Sequence, residues 1–159
     1  MRKKDLRWYK ELIKSKYSNI YEFVKDVKVG YYVRDGETEL ICLGEEPILT
    51  TVKGELIPTL YVVKKVGLNS LPYVVVDEGA IKHLLNGADV MIPGITELSN
   101  FSEGDVLAVW EPSKRSPIVI GKALLSSDEV KVRKRGKAIK NLHYAGDKVW
   151  KLIINYLRR

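Results

Sequence analysis

Six cations, Lys131, Arg133, Lys134, Arg135, Lys137 and Lys140, stand within residues 131–140, a stretch that holds no acid. Clustered Lys and Arg side chains attract a phosphate backbone and release its counterions on binding, which yields affinity without sequence information. Gly136, in their midst, lets the main chain come close to a ligand. The same pattern also describes a solvated loop beside a strand, and the run alone leaves both readings open. A second stretch, Asn86-Gly87-Ala88-Asp89-Val90-Met91-Ile92-Pro93-Gly94, puts small residues at a helix end. Accessible main-chain groups there would suit the ribose and phosphate of a nucleic-acid end, although composition alone reads it as a tight helix-to-strand connection. It lacks the Gly-Lys-Ser/Thr of a phosphate-cradling P-loop, as does Gly121-Lys122-Ala123. Tyr31, Tyr32, Trp110, Tyr144, Trp150 and Tyr156 have faces on which unpaired bases could stack. Trp110 and Trp150, however, fall in patterns that need core residues.

Catalytic chemistry finds less support. No paired carboxylates, Ser-His-Asp order or metal-ligand spacing stands out. The two histidines, His83 and His143, lie far apart in the chain. His143 and Asp147 could form an acid–base pair, but a structural histidine at a strand end is the favoured reading. Cys42 is the only cysteine, which excludes an internal disulfide and a cysteine-based zinc site. Inside Leu40-Ile41-Cys42-Leu43 it reads as a small buried hydrophobe. No catalytic residue, metal or cofactor is therefore expected.

The elements that must position these residues follow from apolar periodicity. Leu6, Tyr9, Ile13, Tyr17 and Ile20 keep helical spacing, broken at Ser18-Asn19 before a second short helix over 20–25. The period then shortens. Residues 27–33 read as a strand, 34–37 as a turn, 38–43 as its hairpin partner and 48–52 as another strand. Pro58 suits the first turn of a helix over 59–66, closed by Gly67. Residues 68–72 form the candidate linker, dividing the chain into 1–71 and 72–159. Beyond it come a strand at 73–76, a helix at 79–86 capped by Asp77, and a strand at 88–92. Core strands follow at 106–110 and 117–124, then a short element capped by Ser126-Ser127-Asp128-Glu129, and a last strand at 138–144. Asp147 caps a terminal helix.

Composition bounds the class. With 45% apolar and 30% charged residues in 159, the chain is globular. A net charge of +7 and a pI near 9.4 suggest a polyanionic partner. Lys and Arg exceed Asp and Glu by 13 to 10 before Tyr73 and by 14 to 10 from there on, so what distinguishes the halves is how charge is distributed. No apolar run approaches the roughly 18–20 residues of a membrane span. Lys10, Lys14 and Lys16 interrupt any signal-like h-region after the basic start, so a cytoplasmic location is expected.

Two blocks carry a resemblance. Residues 77–96, D-E-G-A-I-K-H-L-L-N-G-A-D-V-M-I-P-G-I-T, resemble the opening of a PUA domain. More narrowly they are similar to the malignant T-cell-amplified sequence family, with its pattern D-x-G-A-I-K-x-x-L-x-G-A-x-x-M-x-P-G-[IL]-T. Residues 136–150, G-K-A-I-K-N-L-H-Y-A-G-D-K-V-W, resemble that family's closing motif, and Gly54-Glu55-Leu56 with Pro58-Thr59-Leu60 its N-terminal domain. The resemblance implies an α+β chain: a small α/β domain, then a PUA pseudo-β-barrel with short helices. It places RNA between the first helix of that barrel with its following loop (Lys82, Asn86, Gly87, Ala88, Asp89, Met91) and the last strand (Lys137, Lys140, Asn141). It also implies a non-catalytic role in translation, on tRNA or the rRNA of the small ribosomal subunit, in initiation or recycling. A protein partner of the initiation machinery would use the N-terminal domain. An accessory role in tRNA or rRNA modification is the alternative.

Overall fold

The computed structural model describes residues 1–159. Helix α1 (Lys3–Lys16) buries Leu6 and Ile13, two turns apart, and leaves its lysines outward except the half-buried Lys10, which donates to the Lys25 and Val27 carbonyls. Tyr17 ends it, with its hydroxyl donating to the Leu56 carbonyl (2.9 Å), and α2 (Ser18–Val24) starts at once. Strands β1 (Gly30–Asp35), β2 (Thr38–Leu43), β3 (Glu46–Val52) and β4 (Glu55–Pro58) then form an antiparallel meander. All three of its turns have two residues. Gly36 (φ 60°) opens the first and Gly44 (φ 64°) the second, whereas in the third both Lys53 (φ 50°) and Gly54 (φ 77°) are left-handed, as a twisted hairpin demands.

Pro58 does not begin a helix. It closes β4 opposite Leu49, and Thr59 caps α3 (Leu60–Val66) by accepting from the Val62 amide. Gly67 (φ 110°) ends that helix, and one 3-10 turn (Leu68–Ser70) follows in place of an open linker, with Ser70 and Leu71 buried.

The second sheet is β5 (Tyr73–Val76), β6 (Val90–Met91), β7 (Ile95–Leu98), β8 (Val106–Trp110), β9 (Pro117–Ala123) and β10 (Lys137–Tyr144). Their order is β6-β10-β9-β8-β5-β7, antiparallel except for β5 beside β8, and it curls into a nearly closed barrel. Helices α4 (Glu78–Leu84) and α5 (Ser127–Val132) lie between strands, and α6 (Lys148–Leu157) ends the fold. The expected strand over 88–92 shrinks to two residues, because Ile92-Pro93-Gly94 forms a 3-10 turn; β4 and β7 were not expected.

Alternation decides what each face of the second sheet buries. Val74, Val76, Leu107, Val109, Val119 and Ile139 fill the barrel, while Val75, Val106, Ala108, Trp110, Ile120 and Leu142 pack against the first half. The first sheet is covered on both faces as well: Ile41 and Leu43 meet that shared core, and Leu40 and Cys42 meet Val149, Leu152 and Ile153 of α6. This double cover explains the unbroken apolar run at 40–43. Burial pushes the Cys42 thiol up to about 11, which suits a packing residue rather than a nucleophile.

His143, fully buried, ties the halves together. Its Nδ1 donates to Asp147 Oδ2 (2.9 Å) and its Nε2 accepts from the Leu60 amide (3.2 Å), an otherwise orphaned first-turn N–H of α3. These two bonds require the neutral Nδ1–H tautomer. The histidine is structural. No helix is long and apolar enough to cross a membrane, and no group of three or more His, Cys, Asp or Glu side chains gathers to ligate a metal.

Candidate nucleic-acid interface

Asp77 starts α4 by accepting from the Ala80 amide (2.9 Å). Gly87, at φ 91°, ends it in a Schellman motif: the Gly87 amide donates to the Leu84 carbonyl (3.0 Å) and the Ala88 amide to the His83 carbonyl (3.1 Å). The Asn86 amide also donates to the His83 carbonyl. The main-chain N–H groups expected to be accessible here are thus occupied within the helix end. What Gly87 and Ala88 contribute is room, since neither carries a side chain that would fill the space above the loop. Tyr144 floors that loop, its ring 3.4 Å from where a Gly87 Cβ would stand.

The loop is fastened to β10 by two residues. Asn141, buried, donates from Nδ2 to the carbonyls of Ala88 (2.9 Å) and Leu84 (3.1 Å). Asp89 accepts the Asn141 amide on Oδ1 (2.9 Å) and pairs through Oδ2 with Lys137 Nζ (3.3 Å). Asn141 and Asp89 therefore position the loop rather than present themselves to a ligand. Asn141→Ala is expected to cost about 1–2 kcal/mol and to speed amide exchange at residues 84–89. Unchanged exchange there would remove the clamp.

Between the end of α4, β6, the 3-10 turn and Lys137 lies an open cleft of about 620 Å³, with Leu84 and Val90 at its base. His83, Met91 and Pro93 complete its walls; Met91 is 47% exposed. The acid-free basic stretch borders it. A capping box between Ser126 and Glu129 starts α5, which carries Lys131 on its last turn. The following loop is pinned to the cleft, because the Ile92 amide donates to the Gly136 carbonyl (2.9 Å) and Lys137 pairs with Met91. Lys131, Arg133, Lys134, Arg135 and Lys137 are all exposed. Arg133 is paired with Glu129 (3.4 Å) and Lys137 with Asp89, whereas Lys131, Lys134 and Arg135 have no carboxylate within bridging distance.

The remaining expected residues lie elsewhere. Lys82 and Asn86 are exposed but stand outside the cleft walls. Lys140, beyond an irregularity in β10 between Lys137 and Ile139, borders a separate depression against the first half. His83 was missed, although Ala80, His83, Leu84 and Gly87 share one helical stripe that could have flagged it.

Residues 72–145 match the PUA domain family. The chain belongs to the PUA-domain proteins. An uncharacterized protein of Methanocaldococcus jannaschii is 43% identical over 93% of this chain and 91% of its own. Translation machinery-associated protein 20 of Saccharomyces cerevisiae is 29% identical over 87% of this chain and 84% of its own. Malignant T-cell-amplified sequence 2 of Homo sapiens is 32% identical over 71% of this chain, which spans 65% of that relative's length. The resemblance to that family therefore holds, with an archaeal protein among the near relatives. Among solved structures, a PUA domain from Aeropyrum pernix superposes with a TM-score of 0.84 at 30% identity, covering 97% of this chain and 89% of that one. The PUA match covers every cleft residue, and both PUA-like blocks meet there: His83, Gly87–Met91 and Pro93 of the first line one side and Lys137 of the second the other.

Proposed function

We propose that this PUA protein binds structured RNA in translation, as a non-catalytic cytoplasmic factor contacting tRNA or small-subunit rRNA. The cleft beside the Gly87 loop takes an exposed nucleotide, and Lys131, Lys134, Arg135 and Lys137 hold the phosphates around it. The carrying observation is the coincidence of a small-residue loop at Gly87-Ala88 with an acid-free, largely unpaired cationic stretch pinned to the same cleft. The yeast relative's name, translation machinery-associated protein, supports the setting. Trp8, 56% exposed at the end of an edge-to-face chain with Tyr9 and Tyr32, supports a protein partner on the first half.

The test is a gel shift with unfractionated tRNA and small-subunit rRNA fragments across a salt series. The triple variant Lys134→Glu/Arg135→Glu/Lys137→Glu is expected to bind at least about a hundredfold more weakly, with a shallower salt slope. Absence of binding by the unaltered protein at low salt, or equal binding by the variant, would refute the proposal.

A further inference from the structure

Two locally unfavourable features converge on the depression that Lys140 borders. Lys140 and Lys122 are direct cross-strand partners on β10 and β9, an arrangement in which like charges repel. Lys53, across the seam on the β3–β4 turn, holds a left-handed φ of 50° that a lysine adopts at a cost. Glu55 is the carboxylate between them, bonded to Lys122 at 2.6 Å. The Lys122 hydrogen bond holds the Glu55 carboxyl below its ordinary range against the opposing effect of burial, and the charges of Lys122, Lys16 and Lys140 add to it. One carboxylate thus answers several lysines. Lys53, Lys122 and Lys140 border one depression of about 330 Å³ between the two halves, with Glu103 as the second acid on its wall.

Breaches of local preference that gather in one place mark a site kept for binding rather than for stability. We propose that this seam is a second phosphate-binding surface, on which Lys53, Lys122 and Lys140 hold the backbone of the RNA whose nucleotide occupies the cleft. The inference rests on the RNA-binding reading of the cleft and extends it to the first half. Lys137 and Lys140 stand about 10 Å apart along β10, the first on the cleft and the second on this depression, so an RNA passing that strand meets cations at both. The excess of lysine over acid fits a polyanion, and a phosphate chain has no need of the apolar pocket that a peptide side chain would require.

The experiment compares Lys53→Asn, Lys140→Gln and their double variant with Arg135→Glu/Lys137→Glu at the cleft. Unfractionated tRNA is the probe, across a salt series. Asparagine tolerates positive φ, so Lys53→Asn is expected to raise Tm by about 2–4 °C while weakening tRNA binding. A more stable protein that binds less well excludes misfolding as the cause. The double variant is expected to bind about tenfold to a hundredfold more weakly and to lower the salt slope by about two, at about 0.9 per lost phosphate contact. An unchanged slope in the double variant, with the cleft variant still impaired, overturns the seam alone. No binding by the unaltered protein overturns the cleft reading and the seam with it. Polyglutamate that binds the unaltered protein as tightly as tRNA, and is lost in the double variant, assigns the surface to an acidic protein and overturns RNA.

Discussion

An alanine at Gly121 is expected to cost about 3 kcal/mol, a fall of roughly 6–12 °C in Tm for a chain of this size. Gly121 lies in β9 opposite Asn141 of β10 and Leu107 of β8. A Cβ there would stand 2.5 Å from Ile139 Cγ2 and 2.6 Å from the Lys140 carbonyl oxygen. The side chain could rotate; the backbone oxygen belongs to the ladder and cannot move without parting β9 from β10. Because β10 anchors the Gly87 loop through Asn141, the variant is also expected to lose RNA affinity beyond its loss of stability. Gly79→Ala is the contrast. Its nearest neighbour is Asp77 Oδ1 at 3.6 Å and its φ is not positive, so alanine should be neutral or stabilising by up to about 1 kcal/mol. Thermal melting of the two variants decides the matter. Gly121→Ala melting with the wild type, or Gly79→Ala falling as far, would sink the close-approach explanation.

The second large effect is expected at Asp147. Its Oδ1 caps α6 through the Trp150 amide (2.8 Å), and its Oδ2 accepts from the Tyr144 amide and His143 Nδ1 (both 2.9 Å). Asp147→Ala removes the cap, worth about 1 kcal/mol, and strands a buried imidazole N–H, worth about 1–3 kcal/mol. A total near 3 kcal/mol is expected. The effect carries a pH signature. Burial pushes the Asp147 carboxyl up, but the His143 N–H and the Trp150 and Tyr144 amides outweigh it and hold the group below its ordinary range. A depressed folded value means the contribution is fully present above the unfolded value, about 3.9, and is lost as pH falls through the folded one. The gap in Tm between wild type and Asp147→Ala should therefore be full at neutral pH and shrink below about pH 4. A gap that stays constant into acid would show that the carboxylate's charge is not what matters.

The helix caps at Asp77, Ser126 and Asp147 were legible in the sequence because capping is chemistry within three residues. The apolar strands at 106–110 and 117–123 were legible because both of their faces are buried. The two PUA-like blocks made the barrel recognisable before any geometry. What stayed hidden depended on distant partners. Glu55–Pro58 is too short to show a period and becomes a strand only beside β3. Pro58 before Thr59 looks like a helix start, yet Thr59 is the cap and the proline ends a strand. Nothing near His143 announces a bond to Leu60, 83 residues earlier. The occupied amides at Asn86–Ala88 required the Schellman geometry itself. The separation of Lys137 from Lys140 was hidden too, because β10 is irregular between Lys137 and Ile139 and simple alternation does not hold there.

The contact between α6 and the first sheet has a consequence for how the chain acquires its structure. Leu40 and Cys42 gain their apolar cover from Val149, Leu152 and Ile153, more than a hundred positions later. Synthesis proceeds from the amino end, so the sheet made first is the one completed last, and its open face waits while the barrel between them is translated. Closing so long a loop lowers the folding rate and lengthens the time for which that face is available to chaperones or to a neighbouring nascent chain. The earliest strands of this protein mature only with its final helix.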